Sequence, residues 1–378
     1  MKKVRVTRHH RAHPWVFSNE VKTRDQIEPG DIVDIYHGSI FKGRGFYNPH
    51  SLIAVRRYSE TKQEFDQSLV DELIKKSLDH RKDCIQDTSF RLVYSESDRL
   101  PGLIVDKYDK SFVIQIHCYG MDTRRDLIVR SLLGMQPEFI YERSDTALRK
   151  IEGLEPRKGL LHGALNNPVL IEQGGIKFLV DIENGQKTGF FFDLSDIRNK
   201  VKKISKGKRV LDLFCYTGAL SLYAASGDAH STIGVDSSES AIMLAIENSK
   251  INGVKNAQYI CNDVFDFLNS NTQLYDVIIL DPPSFTKSKK SLAAARRGYK
   301  RLHLQAMKHL NRRGILVTTS CSYHIREETF QEIIREAAVA AGMNLRIIDR
   351  ATQSPDHPIL LNMPESHYLK CFFLQRAD

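Results

Sequence analysis

The sequence has few cysteines, a single tryptophan and no long hydrophobic segment. No apolar run approaches the roughly 18 residues that a membrane-spanning helix needs, and the N-terminus lacks the apolar core of a signal peptide. We therefore expect a cytoplasmic protein without a membrane partner. The six cysteines show no CxxC spacing, which argues against a zinc knuckle, an iron–sulfur site and a disulfide framework.

A surplus of positive charge is the clearest feature of the composition. The 378 residues include 55 Lys and Arg against 46 Asp and Glu, a formal net charge of +9. With 41% hydrophobic and 27% charged residues, the chain has the proportions of folded domains rather than of a disordered protein. Residues 282–326 contain eleven Lys or Arg and no acid, which favours a polyanion, nucleic acid first, as the partner.

Hydrophobic patterning divides the chain into three regions. Residues 1–68 show short apolar alternations broken by Gly and Pro, which predict a β-rich domain. Residues 69–178 combine an amphipathic helix with strands and predict an α+β domain. In residues 179–378, apolar strands alternate with helices, one of them predicted over 292–311. This third region predicts an α/β fold with a parallel, doubly wound sheet that binds ligands beyond the carboxyl ends of its strands.

Polar residues follow three successive predicted strands of the third region. Asp236 follows Asp212 by 24 positions, and a carboxylate at that spacing can accept hydrogen bonds from a ribose. The GxGxxG fingerprint of pyrophosphate cofactors is absent, so a nucleoside without a phosphate cradle, S-adenosylmethionine, fits better. Taken singly, each acid could instead cap a turn or a helix. The predicted cofactor-binding residues are Asp212, Phe214, Gly218, Asp236, Ser237, Asn262 and Asp263.

Two motifs at the ends of the fourth and fifth strands suggest covalent catalysis. Asp281 begins an Asp-Pro-Pro loop, and Cys321 lies between two serines. C5 of a pyrimidine is too weak a nucleophile to attack a methyl sulfonium, but addition of a thiolate to C6 converts the ring into an enamine. Asp281 could protonate N3 of a cytosine, and Asp in place of the usual Asn disfavours methylation of an exocyclic amine. The alternative is a buried, inert thiol that closes a strand.

Basic side chains near the Asp-Pro-Pro loop are predicted to bind RNA. Three lysines follow the loop directly, and three further cations lie on the predicted helix, where a solvated helix face is the alternative. The predicted RNA-binding residues are Lys287, Lys289, Lys290, Arg297, Lys300 and Arg301. Histidines near the N-terminus lack a supporting set of cysteines or carboxylates, so we expect a basic surface arm there and no metal site.

The motifs together resemble bacterial large-subunit ribosomal RNA cytosine-C5 methyltransferases that carry an N-terminal PUA domain. The matching segments are 13–18, 95–106, 186–193, 281–283, 320–322 and 356–358. The resemblance implies a PUA-like RNA-binding domain (1–68), a central strand-strand-helix-strand-strand domain (69–178) and a class I, Rossmann-like methyltransferase domain (179–378).

The same resemblance implies roles for particular residues. Cys321 would be the nucleophile, and Asp281 its partner and a cofactor contact. The residues that would line the methionine end of S-adenosylmethionine are Gln186, Thr188, Gly189 and Phe190. Ser284 and Phe285 stand where eukaryotic-type cytosine enzymes carry a second cysteine, so the base that removes the C5 proton is unassigned.

The prediction is therefore an S-adenosylmethionine-dependent enzyme that forms 5-methylcytosine in ribosomal RNA. Two alternatives stay open: a non-catalytic RNA-binding or assembly factor, and a methyltransferase that acts on another base. The oligomeric state is also open, with a homodimer among the alternatives.

Overall fold

The computed structural model describes residues 1–7, 13–285 and 292–378, which divide into two compact units. The first unit comprises Met1–Ile171, Val180–Phe192 and Pro355–Ser366. The second unit comprises Glu172–Leu179, Asp193–Ser354 and His367–Asp378. Within the described residues, every helix is too short or too polar to cross a membrane. The limits of the three domains proposed above, residues 1–68, 69–178 and 179–378, stay predictions.

The N-terminal part of the first unit is a β-sheet with a small apolar core. Its strands are β1 (Lys2–Val6), β2 (Trp15–Phe17), β3 (Val21–Lys22), β4 (Ile32–His37), β5 (Ile40–Tyr47) and β6 (Ile53–Ser59). They are arranged in the order β2–β6–β5–β4–β1–β3. Val4, Val33 and Val55 are fully buried, because alternate residues of each strand face the core.

The remainder of the first unit packs helices against a second sheet. Its elements are α1 (Gln67–Cys84), β7 (Phe90–Tyr94), β8 (Leu103–Tyr108), β9 (Ser111–Ile116), α2 (Tyr119–Asp122), α3 (Arg125–Leu133), β10 (Phe139–Ser144), α4 (Ala147–Ile151) and β11 (Arg157–Gly163). The strand order is β11–β10–β9–β8–β7. The Asp66 carboxylate caps α1 by accepting from the Leu69 amide at 3.0 Å, and Leu69 and Leu73 are buried on the inner face of the helix.

Buried ion pairs join the two sheets of the first unit. Arg56 of β6 donates to Glu96 at 2.8 Å and to Glu152 at 3.0 Å. The indole of Trp15 donates to the same Glu96 carboxylate at 2.6 Å. Burial opposes the ionisation of Glu96, but the charge of Arg56 and hydrogen bonds from Ser95 and Trp15 lower its pKa overall. The buried charges of this junction are therefore compensated within the unit.

The second unit alternates helices and strands. After a hairpin of β12 (Val169–Gln173) and β13 (Ile176–Val180), its elements are α5 (Ser195–Ile204), β14 (Arg209–Leu213), α6 (Ala219–Ser226), β15 (Ser231–Asp236), α7 (Glu239–Ile251), β16 (Ala257–Cys261), α8 (Val264–Ser270), β17 (Tyr275–Leu280), α9 (Leu292–Lys308), β18 (Leu310–Ser320), α10 (Glu327–Ala340), β19 (Leu345–Ala351) and β20 (Lys370–Arg376). Their sheet has the order β16–β15–β14–β17–β18–β20–β19.

The prediction of a parallel sheet is confirmed for the five predicted strands, β14 to β18, and the sheet has two further strands, β19 and β20, that the prediction did not include. Strand β20 runs antiparallel to both β18 and β19, and its register places Lys370 opposite Ser320. The helix predicted over 292–311 is also too long, since α9 ends at Lys308 and Leu310 pairs with Tyr275 as the start of β18. Leu310 is buried in either assignment, so its hydrophobicity did not distinguish helix from strand.

Candidate active site

The loop that follows β14 is hydrogen-bonded to the end of β15. Phe214 and Tyr216 have φ angles of 66° and 49°, a left-handed conformation that is uncommon for residues with a side chain. The amides of Phe214 and Cys215 both donate to the Val235 carbonyl, at 2.8 and 3.1 Å. At Gly218 the φ angle is 78°, and an added Cβ would lie 2.8 Å from the ring of Tyr259. Strained, fixed backbone of this kind is typical of ligand-binding loops.

Asp212 is a fully buried carboxylate with one unused oxygen. Its Oδ2 accepts from the Ser221 hydroxyl at 2.6 Å, whereas Oδ1 has no hydrogen-bond partner within the described residues. Burial raises the pKa of Asp212 to about 7, and the charges of Asp281 and Asp236 act in the same direction. Leaving a buried acceptor without a donor costs folding free energy, so this oxygen points to a ligand that supplies a donor or a positive charge.

Asp236 and Asp263 both support local backbone. The Asp236 carboxylate accepts from the amides of Tyr216 and Ser238, each at 2.9 Å. The Asp263 carboxylate caps α8 by accepting from Phe265 at 2.8 Å. The capping role that was the alternative for these acids is therefore present. A carboxylate oxygen has more than one acceptor position, so these bonds leave capacity for a ligand.

The remaining predicted strand-end residues lie at the same edge of the sheet. Ser237 lies between β15 and α7, and Asn262 lies between β16 and α8. The backbone N–H of Asn262 donates to the backbone carbonyl of Asp236 at 2.9 Å. Asp281 follows β17, the strand between β14 and β18. The carboxyl ends of these parallel strands meet at one edge, as sequence alone predicts for such a sheet.

Cys321 and Asp281 follow two paired strands, β18 and β17. The Thr319 hydroxyl donates to the Asp281 carboxylate across β18 and β17. Cys321 is half-buried, and the serines on either side of it are fixed by one buried phenol. The Tyr299 hydroxyl lies 3.1 Å from Ser320 Oγ and 3.3 Å from Ser322 Oγ. The thiol is therefore presented on rigid backbone rather than on a loose loop.

Ser322 also links Cys321 to the Asp-Pro-Pro loop. The hydroxyls of Ser284 and Ser322 share a hydrogen bond of 2.8 Å. Burial raises the pKa of Tyr299 to about 12, and the charges of Cys321 and Asp281 add to the shift. Tyr299 is therefore a neutral hydrogen-bonding anchor at neutral pH rather than a base.

Sequence reasoning missed Lys370, the first residue of β20. Its ammonium donates to the Ser322 carbonyl at 2.7 Å and to the Tyr368 carbonyl at 2.8 Å, and its side chain is buried. Burial lowers the pKa of Lys370 to about 8, opposed by the negative charges of Cys321 and Glu327. A single lysine within the apolar run 369–374 was the available signal, because lysine is seldom buried without a purpose.

The predicted RNA-binding cations on α9 have different surroundings. Lys300 forms an ion pair with Glu336 of α10 at 3.1 Å, and the Arg301 guanidinium lies 4.8 Å from the centre of the Phe265 ring. Arg297 is exposed. The stretch without acids is therefore partly neutralised by α10. Lys287, Lys289 and Lys290 lie outside the described residues.

The predicted segment for the methionine end of the cofactor belongs to the first unit, where β8 holds it. The Thr188 hydroxyl donates to Asp106 at 2.5 Å, and the Tyr108 hydroxyl donates to the Thr188 carbonyl at 2.9 Å. The Phe190 amide donates to the same phenol at 3.2 Å. At Gly189 the φ angle is 114°, and an added Cβ would lie 2.9 Å from a carbonyl oxygen.

The side chain of Thr188 is thus used within the protein, while Gln186 is exposed. The assignment of all four residues to the cofactor stays a prediction. Within the described ranges, no group of three or more His, Cys, Asp or Glu side chains could hold a metal ion.

Comparison with known proteins identifies the family. The family described as S-adenosylmethionine-dependent methyltransferase matches residues 159–366, and the PUA-like domain family matches residues 1–60. Ribosomal RNA large subunit methyltransferase I of Aeromonas hydrophila is 41% identical over 375 residues, which cover 95% of this chain and 94% of that protein. The chain belongs to this methyltransferase family. The Aeromonas salmonicida protein of the same name is 41% identical over 374 residues, with 95% and 94% of the two chains covered.

The fold of this methyltransferase agrees with a solved structure. A crystal structure described as a methyltransferase complexed with SAH superimposes with a TM-score of 0.86 at 24% identity, covering 99% of this chain and 100% of that one. The protein is thus an S-adenosylmethionine-dependent methyltransferase with the class I fold and an N-terminal PUA-like domain, as the sequence predicts.

Proposed function

We propose that this methyltransferase forms 5-methylcytosine in large-subunit ribosomal RNA through a covalent bond between Cys321 and C6 of the base. One observation carries the proposal: the half-buried Cys321 and Asp281 follow neighbouring strands, β18 and β17, at the sheet edge where the other strand-end carboxylates also lie. The names of the relatives at 41% identity support the RNA substrate. The choice of C5 rests on the chemistry of the thiol, since only attack on an unactivated ring carbon needs a nucleophile of this kind.

The residues of the second unit fit the cofactor. The unpartnered oxygen of Asp212 would accept from, or pair with, a positively charged part of S-adenosylmethionine, and Gly218 would allow the backbone to approach it. Asp236 would accept from the ribose hydroxyls, and Asp263 from the adenine amino group. When bound, S-adenosylmethionine supplies the electrophilic methyl group that C5 takes.

The protein's own groups perform the remaining steps. The Cys321 thiolate forms a bond to C6 while Asp281, in its protonated form, donates a proton to N3. The Thr319 hydroxyl holds the Asp281 carboxyl group in place for that transfer. After methylation a base removes the C5 proton, the bond from sulfur to C6 breaks, and the N3 proton returns to Asp281.

RNA binding would use exposed cations, with the target base flipped out of its stack to reach the thiol. Arg297 and Arg301 are exposed among the predicted contacts that the structure describes. Arg301 also lies over the Phe265 ring, and Lys300 forms an ion pair with Glu336. A PUA-like domain at the N-terminus is consistent with an RNA substrate.

Labelled methyl transfer tests the proposal directly. Ribosomal RNA from cells without this enzyme is incubated with the full chain and labelled S-adenosylmethionine, and its nucleosides are separated by mass spectrometry. We expect labelled 5-methylcytidine from the native chain and from Cys84→Ala, a control at an exposed cysteine on α1. Cys321→Ala should bind the cofactor and transfer no methyl group.

Three other results would contradict the proposal. Label on guanosine, adenosine or uridine would exclude the cytosine assignment. Full turnover by Cys321→Ala would exclude the covalent step. Saturable RNA binding without any transfer would favour an assembly factor.

A further inference from the structure

Lys370 reaches across the backbone that carries Cys321. In the ladder between β18 and β20, Lys370 stands opposite Ser320, the residue before Cys321. The ammonium of Lys370 donates to the carbonyl of Ser322, the residue after Cys321, at 2.7 Å. The lysine side chain therefore follows the backbone of residues 320–322, the segment that carries Cys321.

The ammonium is held in its protonated form by neutral acceptors. An ammonium has three N–H donors, and two of them are used by the carbonyls of Ser322 and Tyr368. Within the described ranges, no carboxylate forms a salt bridge with Lys370. A buried cation needs a compensating negative charge, and one of its donors is left for it.

Two acidic groups interact electrostatically with Lys370. When ionised, Cys321 and Glu327 both raise the pKa of Lys370, and Cys321 has the larger effect. The value of about 8 leaves Lys370 mostly protonated at neutral pH.

The other titratable groups near this pair come from several elements. Tyr299 of α9 and Asp281 after β17 interact electrostatically with each other, and Cys321 acts on Tyr299. His324 and Arg326 lie on the loop between Cys321 and α10. Tyr299 is hydrogen-bonded to the serines on both sides of the thiol, but it is neutral. Lys370 brings a positive charge to the same segment, because its ammonium donates to the Ser322 carbonyl.

We propose that Lys370 is the positioning residue that keeps Cys321 as a thiolate for attack on C6. The inference rests on the proposed function, since it assigns the group that activates the proposed nucleophile. The thiol loses its proton to solvent, the ammonium stabilises the resulting anion, and no proton is taken by Lys370. A thiolate beside a lysine is more reactive at neutral pH than an isolated thiol. When sulfur leaves C6, the same ammonium stabilises the departing thiolate.

The pH profile of alkylation tests this role without any RNA or methyl transfer. The full chain is treated with iodoacetamide across the pH range, and modification of Cys321 is followed in its own peptide by mass spectrometry. We expect half-maximal reactivity of Cys321 below pH 8.5, the ordinary value for a free thiol. Exposed Cys84, in the same samples, is the internal control.

Two substitutions separate charge from structure. Lys370→Gln should move the alkylation midpoint of Cys321 upward by about one pH unit, which is about a tenfold slower reaction near neutrality. Lys370→Arg should keep the midpoint near that of the native chain.

Methyl transfer by Lys370→Gln should recover as the pH is raised, because hydroxide then removes the proton of the thiol. Lys250→Gln on α7, an exposed lysine paired with Glu247, is the matched control for loss of one positive charge.

The outcomes keep this inference apart from the proposed function. An unchanged midpoint in Lys370→Gln overturns the role of Lys370, whereas an active Cys321→Ala overturns the covalent mechanism itself. If Lys370→Gln does not fold, the pH profile of Cys321 alkylation in the native chain tests the inference. A midpoint at or above about 8.5 in the native chain excludes a stabilised thiolate. A lower midpoint that Lys370→Arg retains supports it.

Discussion

The two units differ in whether their buried charged groups have an oppositely charged partner. In the first unit, Arg56 is enclosed with Glu96 and Glu152, and each carboxylate accepts further hydrogen bonds. In the second unit, among the residues that the structure describes, Asp212 retains an oxygen without a partner and Lys370 donates only to carbonyls. Arg56 Nε also has no hydrogen-bond partner within the described residues, but the guanidinium has two carboxylate counter-charges. Buried charges that have an opposite charge beside them maintain architecture, whereas buried charges without one indicate where a ligand or a reacting group belongs. The comparison predicts different responses to substitution in each unit.

The largest expected effect is the loss of one partner from the paired network. Arg56→Met should lower the free energy of unfolding by about 3–5 kcal/mol, because it leaves two buried carboxylates without their cation. Denaturant titration followed by fluorescence measures this, and Trp15, the only tryptophan of the chain, reports from within the network. Lys76→Met on α1 removes an exposed ion pair and should leave the transition unchanged. An Arg56→Met transition equal to the native one would show that the network is dispensable.

Asp212→Asn should produce the opposite pattern. The pKa of Asp212 rises on folding from 3.8 to about 7, so its ionisation opposes folding progressively between these values and fully above pH 7. At pH 8, the cofactor-free Asp212→Asn chain should be no less stable than the native chain, with a gain of up to about 4 kcal/mol. Calorimetric titration should show affinity for S-adenosylhomocysteine at least about tenfold weaker, since one charge-assisted contact is lost. Destabilisation comparable with that of Arg56→Met would assign Asp212 to the architecture instead.

The pH dependence of cofactor binding sharpens the same point. A positively charged ligand group favours ionised Asp212, so binding should release a proton from this carboxyl group. With a pKa of about 7 in the free protein, affinity for S-adenosylhomocysteine should rise about tenfold between pH 6 and pH 8. The rise should be absent in Asp212→Asn. An identical slope in both proteins would place the titrating group elsewhere.

The smallest expected effect concerns the cations on α9. Arg297→Ala should weaken RNA binding several-fold and reduce the dependence of the logarithm of affinity on the logarithm of salt concentration by about 0.7–0.9, the contribution of one phosphate contact. Lys300→Ala should change affinity less, because Lys300 is already paired with Glu336. Filter binding at several salt concentrations measures both. Equal losses would mean that the ion pair opens when RNA binds.

Much of the second unit was predictable because its signals are local. Short apolar runs identify β14 to β18, and the residues that follow them, such as Asp236 and Asp281, necessarily reach one edge of a parallel sheet. Cys321 was predicted as a nucleophile from its position after β18 and from the family resemblance. Its catalytic role stays a prediction, and the strands that Cys321 and Asp281 follow, β18 and β17, are neighbours in the sheet.

The edge of the sheet was less predictable. Strand β19 is exposed along most of its length and lacks the alternation of a half-buried strand, and β20 joins the sheet in the antiparallel direction from the far end of the chain. Similarly, the stretch without acids gave no sign that Glu336 of α10 would pair with Lys300. Such pairings depend on residues distant in sequence, which no local pattern records.

The sequence by itself determined the alternation of strands and helices, the carboxylates at the strand ends and the thiol after the fifth strand, because each follows from neighbouring residues. Only the tertiary structure decided that, among the described residues, Asp212 keeps an unused oxygen and that Lys370 donates to the residue after Cys321. The physical reason is that burial and charge compensation depend on which distant elements pack together, and the same lysine on an exposed strand would be a solvated surface charge.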